Sequence, residues 1–153
     1  LVQSALTLGT VIINITPVND PPLAGTDTFE ADEDAPLNIP VSGTGGILAN
    51  DLPGPPDEVA AGQTLTLVAS DFPKATDRGG TITLVNNGTR LVYQPPANFS
   101  GQDQFTYRVT DNGTPPATAT GTVLINVGGD NDPPIFVGIN GDANVRSLQF
   151  TES

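Results

Sequence analysis

The sequence predicts an all-β protein, an antiparallel Greek-key β-sandwich of about seven strands. Apolar residues alternate with polar ones at the period of a strand, most clearly at Phe105, Tyr107 and Val109 within residues 103–110. Seventeen Gly and 15 Pro residues among 153 lie between the apolar runs, where they indicate turns. Because no segment combines about ten residues of helical periodicity with capping residues, the sequence does not predict a helical layer.

A repeated segment indicates the domain organisation. Residues 9–22 and 121–134 align without gaps at an offset of 112, with nine identities in 14 positions. A period of this length corresponds to a whole small domain, and it is too long for one turn of a solenoid. We therefore expect three parts. They are the last strand and linker of a preceding repeat (1–20), one complete repeat (21–130), and the linker and first strand of a following repeat (131–153).

The first predicted strands are dense in β-branched residues. Residues 10–16 predict a strand that ends at Pro17, because proline cannot donate a hydrogen bond to a neighbouring strand. Residues 26–31 and 36–41 predict a first strand that is broken between its two halves. A long loop rich in Gly and Pro is expected at residues 42–62, with Ile47 and Leu48 contributing to the core.

The second half of the repeat contains the clearest strand patterns. The segment Asn86-Asn87-Gly88 predicts a hairpin turn, because Asn and Gly tolerate the positive φ that tight turns need. The predicted strands of this half are residues 63–70, 81–85, 89–95, 103–110 and 117–127.

Composition argues against several classes of function. The net charge of −12 lacks the basic patch of a nucleic-acid-binding protein, and an anionic membrane surface would repel it. No apolar run approaches the 18 residues of a membrane-spanning helix, so membrane insertion is not expected. The chain has no Cys and no His, and no Ser lies in a nucleophile-elbow context, so we predict that it is not an enzyme.

Several segments together resemble the bacterial cadherin-like tandem repeats of large secreted or surface adhesins. The matching segments are NDPP (19–22 and 131–134), EDAPL (33–37), GILAND (46–51), YQPPANFSGQDQFTYRVTD (93–111) and ATGTVLINV (119–127). The resemblance covers nearly the whole repeat. It implies a cadherin-like or Ig-like sandwich in a secreted or cell-surface bacterial protein.

The resemblance also implies Ca²⁺ bound between successive domains. Cadherin linkers supply acidic and amide ligands, and the matching residues here are Asp130, Asn131 and Asp132, with Asp111 beside them. An early Glu of each module, Glu33 in this repeat and Glu152 in the next, is the further implied ligand. Thirteen of the 17 acidic residues are Asp, whose oxygens suit Ca²⁺. Strand order alone does not place Asp111 at the same end as the linker.

The first linker departs from this pattern, as does one cadherin motif. Val18 stands where the second linker has Asp130, so Asn19 and Asp20 are expected to form a weaker site or none. The Asp-Arg-Glu motif is also unmatched, because residues 77–79 read Asp-Arg-Gly. A plainer interpretation stays open, in which Asp and Asn beside Pro and Gly only form turns. Residues 50–51 and Asp57 fit that interpretation best.

Three functional hypotheses follow. The first is a structural, calcium-stiffened module of a repetitive extracellular protein, such as an adhesin stalk or surface fibre, whose partners are neighbouring repeats of the same chain or like chains. Other domains would contact a surface glycan or protein. The second is a carbohydrate-binding module, which needs an exposed aromatic platform and has no Trp to build it. The third is a filament subunit that polymerises by exchanging its terminal strands, if the chain ends are natural and not a crop of a longer chain.

Overall fold

The computed structural model describes residues 9–129, which form two four-stranded β-sheets. The strands are β1 (Thr26–Asp32), β2 (Leu37–Pro40), β3 (Leu65–Leu67), β4 (Lys74–Ala75), β5 (Thr81–Val85), β6 (Arg90–Gln94), β7 (Gly101–Asp111) and β8 (Thr118–Gly128). One sheet has the order β1-β8-β7-β3 and the other has the order β2-β6-β5-β4. This arrangement is a β-sandwich, as the sequence predicts.

The broken first strand passes from one sheet to the other. Its first half, β1, pairs with β8, whereas its second half, β2, pairs with β6 in the opposite sheet. Between them Asp34 adopts a left-handed φ of 58°, and the Glu33 N–H donates to the Gly128 carbonyl at 2.9 Å. β1 runs parallel to β8, which is the exception to the predicted antiparallel pairing among the strands of residues 9–129.

The core lies between the sheets and is filled by alternate residues of the long strands. Phe105, Tyr107 and Val109 of β7 point into it, as the alternation predicts. Ile47 is fully buried and Leu48 packs against the core, so the prediction for the long loop is confirmed. Val123 and Ile125 of β8 are also fully buried, and the opposite sheet contributes further large buried side chains, which include Ile39, Ile82, Leu91 and Tyr93.

Three local features differ from the sequence predictions. Residues 10–16 belong to no strand, because no other segment of residues 9–129 pairs with them. The strand predicted at 63–70 is shortened to β3, and a 3₁₀ turn at Ala69–Asp71 replaces its end. The long loop contains a five-residue helix, α1 (Pro56–Ala60), which is too short for a periodic pattern to reveal. No helix among residues 9–129 is long and apolar enough to cross a membrane.

Candidate functional site: the linker junction

The predicted ligands divide between the two ends of the sandwich. Asp111 ends β7 and its backbone N–H donates to Ala117, just before β8 begins, whereas Glu33 bonds to Gly128, the last residue of β8. The ten residue steps along β7 place these ends roughly 30 Å apart. The grouping of Asp111 with Glu33 in one ion-binding set is therefore wrong, because the end of β7 and the end of β8 point in opposite directions.

Asp111 instead faces the first linker, where Asn19 forms a side-chain clamp onto the domain. The Asn19 Nδ2 donates to Asp111 Oδ2 at 3.1 Å and to the Pro115 carbonyl at 2.9 Å. The Asn19 Oδ1 accepts from Gln63 Nε2 at 2.9 Å. Since Asn19 presents its amide nitrogen to Asp111, these two residues hold each other directly, and they do not ligate a shared cation in this arrangement.

The Asp111 carboxylate is held in position by backbone N–H groups of its own loop as well as by the linker. Its Oδ1 accepts from the N–H groups of Gly113 at 3.1 Å and Ala117 at 2.9 Å. Burial by itself would raise the pKa of Asp111, but the hydrogen bonds from Ala117, Asn19 and Gly113 outweigh it and lower that pKa below its ordinary value. The charged form of Asp111 is thus the form that the clamp favours.

Gly113 leaves the space that Asn19 occupies. A Cβ placed at Gly113 would overlap the carboxamide of Asn19. The turn Asp111-Asn112-Gly113 therefore both reverses the chain between β7 and β8 and provides the binding position for the Asn19 side chain of the linker. The same turn also contacts the segment before β3, because Asn112 Oδ1 accepts a hydrogen bond from the Thr64 N–H at 2.8 Å.

The linker stays attached after Asn19. The Asp20 N–H donates to Glu58 Oε1 at 3.2 Å, and Pro22 is buried. Leu23 exchanges two backbone hydrogen bonds with Leu52, both at 2.9 Å. Residues 19–23 are therefore fixed to the end of the domain by contacts that lie 29 to 96 positions away in sequence.

Acidic side chains collect beside this attachment. Asp20 on the linker and Asp57 and Glu58 on α1 each offer a carboxylate oxygen, and these oxygens lie within 4.8 Å of one another. Asp20 and Asp57 are exposed, whereas Glu58 is only 3% exposed. The sequence predicts a loop-forming role for Asp57 and indicates no role for Glu58. The signal that could have drawn attention to them is an acidic pair directly after Pro55-Pro56.

A family model for the bacterial Ig domain matches residues 19–126. The match begins at Asn19, the residue that clamps the linker, and it includes nearly all of both sheets. The chain belongs to the bacterial Ig-domain family. Domains of this family are generally non-catalytic and are typically extracellular or exposed on the cell surface.

One of the solved structures that match this bacterial Ig domain is only distantly similar to it. It is a nucleoside hydrolase-related hypothetical protein from Saccharophagus degradans that is associated with carbohydrate metabolism. The identity is 20% and the TM-score is 0.39, over 67% of this chain and 22% of that chain. The chain thus spans about a fifth of that protein's length. A search of curated proteins found no significant match.

The opposite end of the Ig domain carries the other predicted ligand of this repeat. Glu33 is buried beside the end of β8, and a Cβ at Gly129 would lie 3.7 Å from its Oε1. Asp130, Asn131, Asp132 and Glu152 lie outside the described residues, so their role as calcium ligands stays a prediction.

An aromatic platform for sugar binding is not present among residues 9–129. Tyr93 is fully buried, and its hydroxyl donates to Asp103 at 2.8 Å. Phe29, Phe72 and Phe99 are partly buried against the core. Phe136 and Phe150 lie outside the described residues.

Carboxylates inside the Ig domain serve the fold. Asp103 is almost fully buried and accepts hydrogen bonds from Thr76, Tyr93 and two backbone N–H groups. Asp51 accepts from the Gly25 N–H at 2.7 Å and from the Tyr107 hydroxyl, which confirms a structural role for it. Asp51 and Asp103 thus direct their oxygens at protein donors, whereas at the linker junction one carboxylate oxygen, Glu58 Oε2, is buried without a hydrogen-bond partner among residues 9–129.

Proposed function

We propose that this bacterial Ig domain is a structural module of a secreted or cell-surface repetitive protein, such as an adhesin stalk or fibre. Domains of this kind follow one another along the chain, and each linker is fixed to the domain that comes after it. Calcium at the junctions adds to the stiffness. The partners of the module are the neighbouring repeats of the same chain or of like chains.

The observation that carries this proposal is the Asn19 clamp. A flexible linker would need no side chain with three partners on the following domain, yet Asn19 bonds to Asp111, Pro115 and Gln63. The same Asn-Asp-Pro-Pro sequence returns at residues 131–134, which supports the same attachment at the next junction. Two consecutive prolines limit the backbone freedom that remains between the attachments.

Backbone ¹⁵N relaxation of the 153-residue chain tests the clamp. In the unmodified chain, the amides of residues 19–23 should show order parameters of about 0.85, like those of the strands. Asn19→Ala removes all three side-chain contacts, and Gly113→Ala expels the carboxamide while leaving Asn19 in the sequence. Both variants should lower the order parameters of Asn19 and Asp20 toward about 0.6 or below.

Asn14→Ala is the matched control, because Asn14 is exposed and makes no hydrogen bond within residues 9–129. It should leave residues 19–23 unchanged. A linker that is already flexible in the unmodified chain, or an Asn19→Ala variant whose linker stays rigid, would refute the clamp and the stalk function that rests on it.

A second candidate function rests on the exposed apolar segment before the linker. Val11, Ile13 and Ile15 are exposed, although the matching segment at 121–127, with five of seven residues identical, lies in the centre of a sheet. We infer that this segment completes the sheet of another Ig domain, either the preceding one in the same chain or one in a second molecule. Electron microscopy and light scattering distinguish these cases, because strand exchange between molecules gives filaments at high protein concentration, whereas monodisperse monomers exclude it.

A further inference from the structure

The acidic residues at the linker junction form a set that spans two segments of the chain. Asp20 belongs to the linker, whereas Asp57 and Glu58 belong to α1 in the long loop. Their nearest carboxylate oxygens lie within 4.8 Å of one another. The ion pair found among residues 9–129 is Arg108–Asp71, so no Lys or Arg of the described chain neutralises this group. Three like charges at this separation repel one another unless a cation lies between them.

Glu58 gives the second, independent observation. The side chain is only 3% exposed, and its Oε1 accepts from the Asp20 N–H at 3.2 Å. Its Oε2 is buried and has no hydrogen-bond partner among residues 9–129. A buried carboxylate oxygen without a donor is costly, and proteins normally satisfy it with a hydrogen bond or a cation.

A neutral oxygen lies close by. Gln63 Oε1 is also buried without a hydrogen-bond partner among the described residues, whereas Gln63 Nε2 donates to Asn19 Oδ1. Gln63 and Glu58 line the same pocket of about 210 Å³, together with Asp57 and Asn19. The pocket therefore brings together carboxylate and amide oxygens, which are the donors of a hard-cation site.

The donor chemistry selects the class of cation. The chain contains no His and no Cys, so a zinc or copper site of the usual nitrogen and sulfur type cannot form here. Two oxygens on opposite sides of a Ca²⁺ ion at about 2.4 Å are about 4.8 Å apart, so a set with this spread can close on one calcium ion. Mg²⁺ needs shorter, near-octahedral contacts, which two exposed side chains on separate segments do not impose.

We propose that Asp20, Asp57 and Glu58, joined by the Gln63 carboxamide oxygen, bind one Ca²⁺ ion that ties the linker to α1. Water completes the coordination on the exposed side of Asp20 and Asp57. This site deepens the proposed function, on which it rests, by giving the first junction an ion attachment next to the Asn19 clamp. It differs from the set implied by the cadherin resemblance, since it includes neither Asp111 nor Glu33.

Calcium titration followed by ¹H–¹⁵N correlation spectra tests the site in the 153-residue chain. With Ca²⁺ added at constant ionic strength, the amides of Asp20 and of residues 57–63 should shift and saturate. The expected dissociation constant is on the order of 10⁻⁴ to 10⁻³ M, as in other extracellular modules. Mg²⁺ at the same concentrations should not reproduce these shifts. If it does, the group only attracts counterions and the proposal is wrong.

Two variants locate the ligands. Asp57→Asn changes an exposed residue and should not disturb folding, and Glu58→Gln keeps an oxygen for the Asp20 N–H. Each should weaken calcium binding about tenfold or more, because each removes one of three charged ligands. Asp32→Asn, an exposed change at the opposite end of the sandwich, is the control for loss of charge and should bind as the unmodified chain does.

The double variant Asp130→Asn/Asp132→Asn separates this site from the one expected at the second linker. It should leave the shifts of Asp20 and residues 57–63 intact. If this double variant removes them, or if Asp57→Asn and Glu58→Gln leave them unchanged, the proposed site does not exist. Such a result leaves the Asn19 clamp untouched, because the clamp is measured by relaxation without added calcium.

Discussion

Residues 9–15 and 121–127 share five of seven residues and lie in opposite environments. In the second copy, Val123, Ile125 and Val127 are 0%, 0% and 5% exposed at the centre of a sheet. Their counterparts Val11, Ile13 and Ile15 are 85%, 79% and 86% exposed and belong to no strand. The same alternation of β-branched residues therefore yields a strand in one place only.

The difference lies in the neighbours that each copy has. The second copy is β8, which pairs with β1 on one side and β7 on the other. Within residues 9–129, the first copy has no segment on either side. Strand propensity reflects a fit to a half-buried, paired surface more than a local backbone preference. This sequence can therefore form a strand, and the presence of neighbouring strands decides whether it does so.

The largest effect should come from shortening the equivalent isoleucines. Ile125→Ala removes a fully buried side chain between the sheets, so it should lower the free energy of unfolding by about 2–5 kcal/mol. Ile13→Ala shortens an exposed side chain and should change the free energy of unfolding by less than about 0.5 kcal/mol. Urea unfolding followed by circular dichroism measures both. Equal losses would show that the first copy is also packed in solution.

The glycines that begin the two copies should give the next largest difference. Gly121 lies opposite Tyr107, and a Cβ at Gly121 would overlap the buried ring of that tyrosine. Gly121→Ala should therefore destabilise the domain by about 1–3 kcal/mol, as overpacking usually does. A Cβ at Gly9 would meet nothing within 4 Å, so Gly9→Ala is the matched control. A neutral Gly121→Ala in the same unfolding assay would mean that Tyr107 can move out of its position.

Sequence patterns located the long strands well and the short elements poorly. The predicted strand at 81–85 and the hairpin turn that follows agree with the structure, in which Asn86 and Asn87 have positive φ. A two-residue strand such as β4 and a five-residue helix such as α1 show no periodicity, because each is shorter than the pattern that would reveal it. The strand at residues 10–16 is predicted from β-propensity alone, and it does not form because no strand of residues 9–129 pairs with it.

The linker junction was predictable only in part. The repeated Asn-Asp-Pro-Pro sequence indicates Asn19 and Asp20, and the resemblance to cadherin-like repeats indicates Asp111. The contact between Asn19 and Asp111 spans 92 positions, and which polar atom faces which depends on the geometry of two loops. Glu58 is recognisable as a candidate ligand only from its burial in the structure, which the sequence does not indicate. Composition alone cannot distinguish an aspartate that forms a turn from one that can bind an ion.

A smaller, pH-dependent effect should appear on the strand that pairs with the second copy. Asp27 of β1 lies opposite Val123, and burial raises its pKa, helped by the nearby Asp51 and opposed by hydrogen bonds from Tyr107 and Asn50. A raised pKa means that the folded state binds the proton more tightly than the unfolded state. The contribution of Asp27 to stability is therefore full below the ordinary value of 3.8 and is lost as the pH rises through the raised pKa.

The variant Asp27→Asn should remove this dependence, because a carboxamide does not titrate. The difference in unfolding free energy between Asp27→Asn and the unmodified chain should move in favour of the variant as the pH rises from 3.8. Asp32→Asn, an exposed change on the same strand, controls for the loss of one charge. A difference that stays constant across this pH range would contradict the assignment to Asp27.

The smallest effect should come from the asparagines on the polar face of the two copies. Asn126 donates from Nδ2 to Glu30 Oε1 at 2.9 Å and accepts from Gln102 Nε2 at 3.2 Å, so it links the strands on both sides of β8. Since these bonds are exposed, Asn126→Ala should cost only about 0.5–1 kcal/mol. Asn14, its counterpart, has no such neighbours within residues 9–129, and Asn14→Ala should leave stability unchanged within error. If calorimetry shows equal losses for both variants, the polar face of the first copy is paired in solution, and the contrast between the two copies does not hold.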